Sequence, residues 1–132
     1  MALLIDTSVL VALERAPSPG ALDELSDEPS YLSAISASEL LHGVERAADE
    51  ARRARRQAFV ERVIDTLPVL AFDLDAARVH ARIWARLLGR GEVIGAHDLI
   101  IAATAVSRDL LLLTRNAREF SRVEGLSVKG FE

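Results

Sequence analysis

The chain has 132 residues, half of them hydrophobic, and a formal net charge of −4. This length and composition predict a single domain, residues 1–132, with a full-sized core. Its lack of cysteine excludes disulfides and thiolate metal sites, and its acidic balance excludes binding to nucleic acid by overall charge alone. No apolar run is long enough to span a membrane and we find no signal peptide, so we expect a soluble, cytoplasmic protein.

The first predicted strand, Ala2–Ile5, is an uninterrupted apolar run that stops at Asp6. Such a run is typical of a strand buried on both faces. A short helix at Val9–Leu13 follows, and the prolines and glycine of Ala16–Gly20 predict a loop after it. Taken alone, an Asp in this position is most often the N-cap of the following helix.

The next predicted elements are a short helix at Ala21–Leu25 and a strand at Tyr31–Ala34. The segment Ser36-Ala37-Ser38-Glu39 has the spacing of a capping box, which predicts a helix that begins at Ser36. A long charged helix is predicted over Asp49–Leu67, where Pro68 stops it.

The second half of the chain repeats the alternation of strands and helices. An apolar strand is predicted at Val69–Phe72, and a helix with apolar residues at helical spacing begins at Asp73 or Asp75. The remaining predicted elements are a buried helix at Leu99–Val106, a strand at Leu110–Leu113, a helical turn at Ala117–Phe120 and a final strand at Leu126–Lys129.

Strands that alternate with helices predict an α/β fold, here a three-layer α/β/α sandwich around a mainly parallel sheet. The active site of such a sheet lies outside the carboxyl ends of its strands. Asp6 and Asn116 follow apolar strands, Glu39 lies one turn into a helix, and Asp98 begins a helix that leads into the fourth strand. We expect these side chains to converge at one edge of the sheet.

Each acid also has a purely structural interpretation, as an N-cap, as half of a capping box or as a first-turn residue facing the helix dipole. Carboxylates that crowd together, however, raise one another's pKa unless a cation neutralises them. Mg²⁺ and Mn²⁺ take oxygen ligands of this kind. The positions therefore favour a divalent metal site.

Four blocks of the sequence resemble those of PIN-domain ribonucleases, in particular the VapC-type toxins of bacterial toxin–antitoxin pairs. The blocks are Ile5–Leu10, Leu32–Gly43, Ala96–Ala105 and Leu113–Phe120. The resemblance implies a PIN-like fold and endonucleolytic hydrolysis of RNA with one or two Mg²⁺ or Mn²⁺ ions. It also implies neutralisation by a VapB-type antitoxin, a homodimer, and a heterotetramer or larger assembly with that antitoxin.

Within these blocks Asp6, Glu39 and Asp98 match the acidic metal site of the family. Asn116 occupies a fourth position that is often Asp, and it can offer a carbonyl oxygen without a charge. Glu119, three residues later, is a candidate to compensate for the missing charge. This departure keeps a second interpretation open, in which the chain is a non-catalytic PIN-like module that binds RNA or a partner.

Two hydroxyl residues, Ser8 and Thr114, match supporting positions of the family, and Arg115 is placed to contact phosphate. A run of arginines at Arg52–Arg56 has two interpretations, a solvated helix face or a contact with RNA phosphate or an acidic partner. Trp84 is expected in the core or at a subunit interface. A haloacid-dehalogenase phosphatase also begins with a strand ending in Asp, but it needs a second Asp where this chain has Ser8.

Overall fold

The computed structural model describes residues 1–16, 20–25 and 27–132, apart from the side chains of Asp23 and Glu24. Most of the predicted loop Ala16–Gly20 therefore lies outside the described residues. The described chain forms five strands: β1 (Leu3–Ile5), β2 (Ser30–Ser33), β3 (Val69–Leu70), β4 (Leu111–Thr114) and β5 (Val128–Gly130). Its helices are α1 (Thr7–Arg15), α2 (Ala21–Leu25), α3 (Ala34–Glu45), α4 (Glu50–Thr66), α5 (Leu74–Gly89), α6 (Ala96–Ser107) and α7 (Ala117–Phe120).

The strands form one sheet in the order β3-β2-β1-β4-β5, and every neighbouring pair is parallel. In the centre of the sheet Leu4 of β1 is level with Leu112 of β4. The chain crosses from one side of β1 to the other between β3 and β4, so the gap between β1 and β4 is the topological switch point of the sheet. Ligands of open parallel sheets bind at this point.

Helices cover both faces of the sheet, which confirms the predicted α/β/α sandwich. Leu4 and Ile5 are both fully buried, but they belong to separate cores, because successive strand residues point to opposite faces. Leu4 packs in the core that includes the apolar residues of α5 and α6, whereas Ile5 packs with those of α1, α3 and α4. Burial on both faces explains why apolar and polar residues do not alternate along the strands.

The start of α3 differs from the prediction, and the capping-box interpretation is wrong. The helix begins at Ala34, and its N-cap is Ser33, whose hydroxyl oxygen accepts a hydrogen bond from the backbone N–H of Ser36 at 3.2 Å. Ser36 is fully buried inside the first turn, where it also accepts a hydrogen bond from the Ser33 hydroxyl at 3.0 Å. Glu39 consequently lies in the second turn, and its carboxylate is free of any capping role.

One predicted strand is shorter than expected, and one of the two environments expected for Trp84 is excluded. The predicted strand Val69–Phe72 is only two residues long, because Asp73 becomes the N-cap of α5 and the chain turns away from the sheet. Trp84 does not pack in the core, since 53% of its surface is exposed on α5. Among the described residues no helix combines the length and the apolar character needed to cross a membrane.

Candidate active site

The predicted acids meet at the switch point of the sheet. Asp6 follows β1, and its backbone N–H donates a hydrogen bond to the carbonyl of Leu113 at 2.9 Å, which ties the end of β1 to β4. Arg115 and Asn116 leave β4 at the same edge. The fold therefore places Asp6 beside the segment that carries the fourth predicted position.

The Asp6 carboxylate is nearly fully buried, with 2% of the residue exposed. It stands at the N-cap position of α1, yet its side chain caps no backbone N–H. Instead, the hydroxyls of Ser8 and Thr114 donate to the same oxygen, Oδ2, at 2.6 and 2.7 Å. The second oxygen, Oδ1, accepts no hydrogen bond from the described part of the chain, so it is available to a ligand.

The same two hydroxyls also hold the segment after β4. Ser8 Oγ accepts a hydrogen bond from the backbone N–H of Arg115 at 3.1 Å, and Thr114 Oγ1 accepts one from the backbone N–H of Asn116 at 2.9 Å. Each hydroxyl thus donates to Asp6 and accepts from the loop. This network fixes the position of Asn116 relative to Asp6.

Glu39 reaches the site from α3, and each of its oxygens has a neighbour. The hydroxyl of Thr7 donates to Oε1 at 3.0 Å, and the Nδ1 atom of His97 lies 3.7 Å from Oε2. Thr7 begins α1 and His97 lies in the first turn of α6. Helices from both faces of the sheet therefore orient this carboxylate.

Asp98 lies in the first turn of α6, where burial and neighbouring charges act on its carboxyl. The pKa of its carboxyl is raised to about 6, first by burial and then by the negative charges of Asp6, Glu119 and Glu39, while His97 lowers it by a smaller amount. Glu119 accepts a hydrogen bond from the backbone N–H of Gly95 at 3.2 Å. It is close enough to Asp98 to act on its pKa, but it does not line the cleft.

A cleft of about 470 Å³ brings the predicted residues together. Its lining includes Asp6, Ser8, Glu39, Asp98, Arg115 and Asn116. Thr114 is fully buried next to this cleft through its bond to Asp6, and the Asn116 side chain is exposed at the rim. The predicted convergence of these residues is therefore observed.

The donors of the cleft fit a divalent cation. Three carboxylates and one amide offer oxygen ligands alone, which hard cations such as Mg²⁺ and Mn²⁺ prefer. Burial and the neighbouring carboxylates raise the pKa of Asp98, so a cation bound in the cleft would offset an existing electrostatic cost. Within the described residues no three acidic or histidine side chains form a ready-made metal cluster. The carboxylates repel one another, so a cation would have to draw them together.

Three residues of the site escaped the sequence reasoning. Thr7 and His97 flank Glu39, and Arg15 adds a positive charge to the wall of the cleft. Thr7 lies 32 positions from Glu39 in the sequence, so no local pattern indicates the contact. Arg15 lies on α1 two turns beyond Asp6, and the helical spacing Ser8, Val11, Arg15 could have placed it on the face of Ser8.

Comparison with known families gives the class of this protein. A sequence model of the PIN domain matches residues 3–126, nearly the whole chain. The match includes both strands that border the cleft and all four of the predicted acidic and amide positions. The domain is thus of the PIN class.

The similar relatives within this class are ribonucleases. Ribonuclease VapC1 of Rickettsia felis is 38% identical over 97% of the chain and 95% of that protein. A crystal structure of VapBC-5 from Mycobacterium tuberculosis, a member of the VapBC family of toxin–antitoxin systems, matches 99% of this chain and 98% of that chain, with 35% identity and a TM-score of 0.77. DNA-bound VapBC from Salmonella typhimurium matches 98% of each chain, with 28% identity and a TM-score of 0.88. The chain belongs to the VapC ribonucleases of the PIN-domain family.

Proposed function

We propose that this VapC-type chain is a metal-dependent endoribonuclease that hydrolyses RNA phosphodiester bonds with Mg²⁺ or Mn²⁺. The observation that carries the proposal is the convergence of Asp6, Glu39 and Asp98 in one cleft at the switch point of the sheet. Their side chains come from three distant parts of the sequence, and one of them is nearly fully buried. Membership of a family of ribonucleases supports RNA as the substrate.

In this proposal Asp6, Glu39 and Asp98 hold the cation, with Asn116 as a fourth, uncharged oxygen ligand. A bound divalent cation supplies an activated water at neutral pH and stabilises charge on the phosphate. The protein's own residues set the geometry. Ser8 and Thr114 orient Asp6, Thr7 orients Glu39, and Arg115 lies in the cleft wall where it can contact a phosphate. The proposed mechanism needs no nucleophile from the protein.

The proposal includes partners. Two crystal structures similar to this chain are VapBC assemblies, one of them described as a toxin–antitoxin system. We therefore propose a toxin that acts on RNA in the cytoplasm and is neutralised by a VapB-type antitoxin protein. We also propose a homodimer, which pairs with the antitoxin as a heterotetramer or a larger assembly.

A non-catalytic PIN-like module that binds RNA or a partner is the second candidate, and Asn116 is the observation that favours it. An amide in place of a carboxylate removes one negative charge from the cation site. Glu119 offsets this loss in part, because its charge acts on Asp98. One experiment separates the two candidates.

Purified protein, free of antitoxin, should cleave total RNA when Mn²⁺ is present and not when EDTA replaces it. Asp6→Asn keeps the shape of the side chain but removes its charge, so we expect a loss of cleavage of about a hundredfold, the upper end of the range for residues that only support a metal ligand. Mn²⁺ binding measured by calorimetry should weaken in the same variant, which gives a readout that is independent of activity.

Asp65→Asn is the matched control, since Asp65 is an exposed acid on α4 that lies outside the cleft. It should cleave RNA and bind Mn²⁺ like the unmodified protein. Absence of cleavage by the unmodified protein with Mn²⁺, together with RNA binding, would establish the non-catalytic module. Equal cleavage by Asp6→Asn would exclude the proposed metal site.

A further inference from the structure

Two further clefts continue from the acidic cleft along α1 and α4. The first, of about 390 Å³, shares Val11, Arg15 and Glu39 with the acidic cleft. The second, of about 700 Å³, shares Glu14, Arg52 and Arg56 with the first. The three clefts therefore form one continuous depression that leads away from the candidate metal site.

The outer two clefts are lined by six of the chain's fifteen arginines, and we name them together the arginine groove. These residues are Arg15, Arg46, Arg52, Arg55, Arg56 and Arg62. The protein as a whole is acidic, with a net charge of −4. The arginine groove is thus a local concentration of positive charge on a negative molecule, and it begins where the acidic cleft ends.

One face of α4 produces most of this groove. Arg52, Arg55, Arg56, Phe59 and Arg62 recur at intervals of three or four residues, so they share one side of the helix. The sequence alone could not decide whether this arginine run was a solvated face. In the structure the face lines a groove opposite α1 and α2.

Internal ion pairs use only part of this charge. Arg56 lies 3.6 Å from Glu14 and donates to the carbonyl of Gly43 at 3.0 Å, and Arg52 lies 3.5 Å from Asp49. Within the described residues, by contrast, the other four arginines of the groove form no ion pair. With respect to the described side chains, their guanidinium groups are available to a ligand.

We propose that the arginine groove holds the sugar–phosphate backbone of a single-stranded RNA on one side of the bond to be cut. This inference rests on the proposed function, because it assumes that a phosphodiester lies in the acidic cleft. A strand that passes through that cleft must continue along the surface, and the continuous depression offers it a path. A guanidinium group can donate two parallel hydrogen bonds to the oxygens of one phosphate. Phe59 presents a partly buried ring on which a base can stack.

RNA explains the groove better than an acidic protein segment does. In the described part of the chain, arginines without an ion pair line both outer clefts, which suits a ligand with one negative charge per residue. Grooves that bind single-stranded nucleic acid without regard to sequence also combine positive charge with aromatic rings. An acidic partner remains an alternative outcome of the test.

The test compares Arg55→Gln/Arg62→Gln with Arg78→Gln/Arg82→Gln. Both double variants change the net charge equally, but Arg78 and Arg82 are exposed on α5, outside the groove. Binding to a fluorescent oligouridylate of about 15 nucleotides is followed by anisotropy in EDTA, so that no cleavage occurs. The groove variant should bind about tenfold more weakly, and the α5 variant should bind like the unmodified protein.

Salt dependence gives a second readout. Each single-strand phosphate contact contributes about 0.7 to the slope of log K against log salt, so the groove variant should lose about 1.4 from this slope. Arg55→Lys/Arg62→Lys keeps the charge and should recover most of the slope. With Mn²⁺, the loss of cleavage in the Gln variant should be greater for a strand of about 15 nucleotides than for one of about 4.

Equal binding, slope and cleavage in the groove variant and the unmodified protein would overturn the inference. So would a groove variant that handles RNA normally but escapes inhibition by the antitoxin, since the groove would then belong to the protein partner. Failure of the proposed function has a different signature, namely an unmodified protein that does not cleave RNA with Mn²⁺.

Discussion

At the scale of single residues, Asp6 shows how one carboxylate can be held without losing its capacity to bind a cation. Two hydroxyls donate to Oδ2, and neither approaches Oδ1 as a donor. The sequence offered Asp6 as an N-cap and as a metal ligand. In the structure the hydroxyls of Ser8 and Thr114, rather than a backbone N–H, donate to its carboxylate. Because those hydroxyls also bind the loop after β4, the orientation of Asp6 and the position of Asn116 depend on each other.

The raised pKa of Asp98 leads to a prediction about stability. In the unfolded chain this carboxyl has its ordinary pKa near 3.8, and in the fold the pKa is about 6. The folded protein therefore binds more protons between these values, so this group lowers stability as the pH rises through 6. Asp98→Asn removes the charge and should stabilise the metal-free protein at pH 8 by roughly 1–2 kcal/mol, after allowance for solvent screening.

Thermal unfolding in EDTA at pH 8 and at pH 4 checks this prediction. The gain in Asp98→Asn should shrink at pH 4, because the carboxyl is then protonated in the folded protein and carries no charge there. Mn²⁺ at a hundredfold excess over its Kd should stabilise the unmodified protein by about 2.7 kcal/mol and the variant by much less. A variant that is less stable than the unmodified protein at pH 8 would show that Asp98 is not electrostatically strained.

At the scale of elements, the start of α3 decides where Glu39 points. The Ser33 hydroxyl caps the helix and also donates to Ser36, and both serines are buried. Ser33→Ala should therefore reduce the free energy of unfolding by about 1–2 kcal/mol, the loss of a cap together with a buried partner. Urea denaturation measures this value, and Ser38→Ala, an exposed position of the same helix, should change it by less than about 0.5 kcal/mol. Equal effects of the two substitutions would contradict the role of Ser33.

Which elements the sequence predicts well depends on how local their signals are. Strands β1 and β4 lie within one residue of their predicted bounds, because both are apolar runs that end at polar residues. The capping-box prediction was wrong because the segment Ser33–Ser38 contains three serines that could each cap a helix. Ser36 is buried by tertiary packing, which the local sequence does not show. The convergence of Asp6 and Asp98 was predictable from the general rule for parallel sheets, whereas the contacts of Thr7 and His97 with Glu39 depend on helix packing.

At the scale of the whole molecule, an exposed apolar surface on and beside α5 remains to be explained. Trp84 is 53%, Leu88 62% and Val93 72% exposed, and they border a cleft of about 280 Å³. Next to them the rings of Phe72, His80 and Trp84 form consecutive edge contacts, with centroids 5.6 and 5.9 Å apart. The sequence could not distinguish a core tryptophan from one at an interface, because both are apolar positions at helical spacing.

This surface is where we expect the proposed homodimer to form, since exposed apolar surfaces of this kind mark interfaces. Light scattering at micromolar concentration should give twice the chain mass of 14.4 kDa for the unmodified protein. Trp84→Glu places a charge at the centre of the surface and should shift this mass to that of a monomer, because an unpaired buried charge costs several kcal/mol. Leu41→Glu, at an exposed apolar residue of α3, serves as the control and should remain dimeric. A dimer that persists in Trp84→Glu would place the interface elsewhere, and a monomeric unmodified protein would refute the dimer itself.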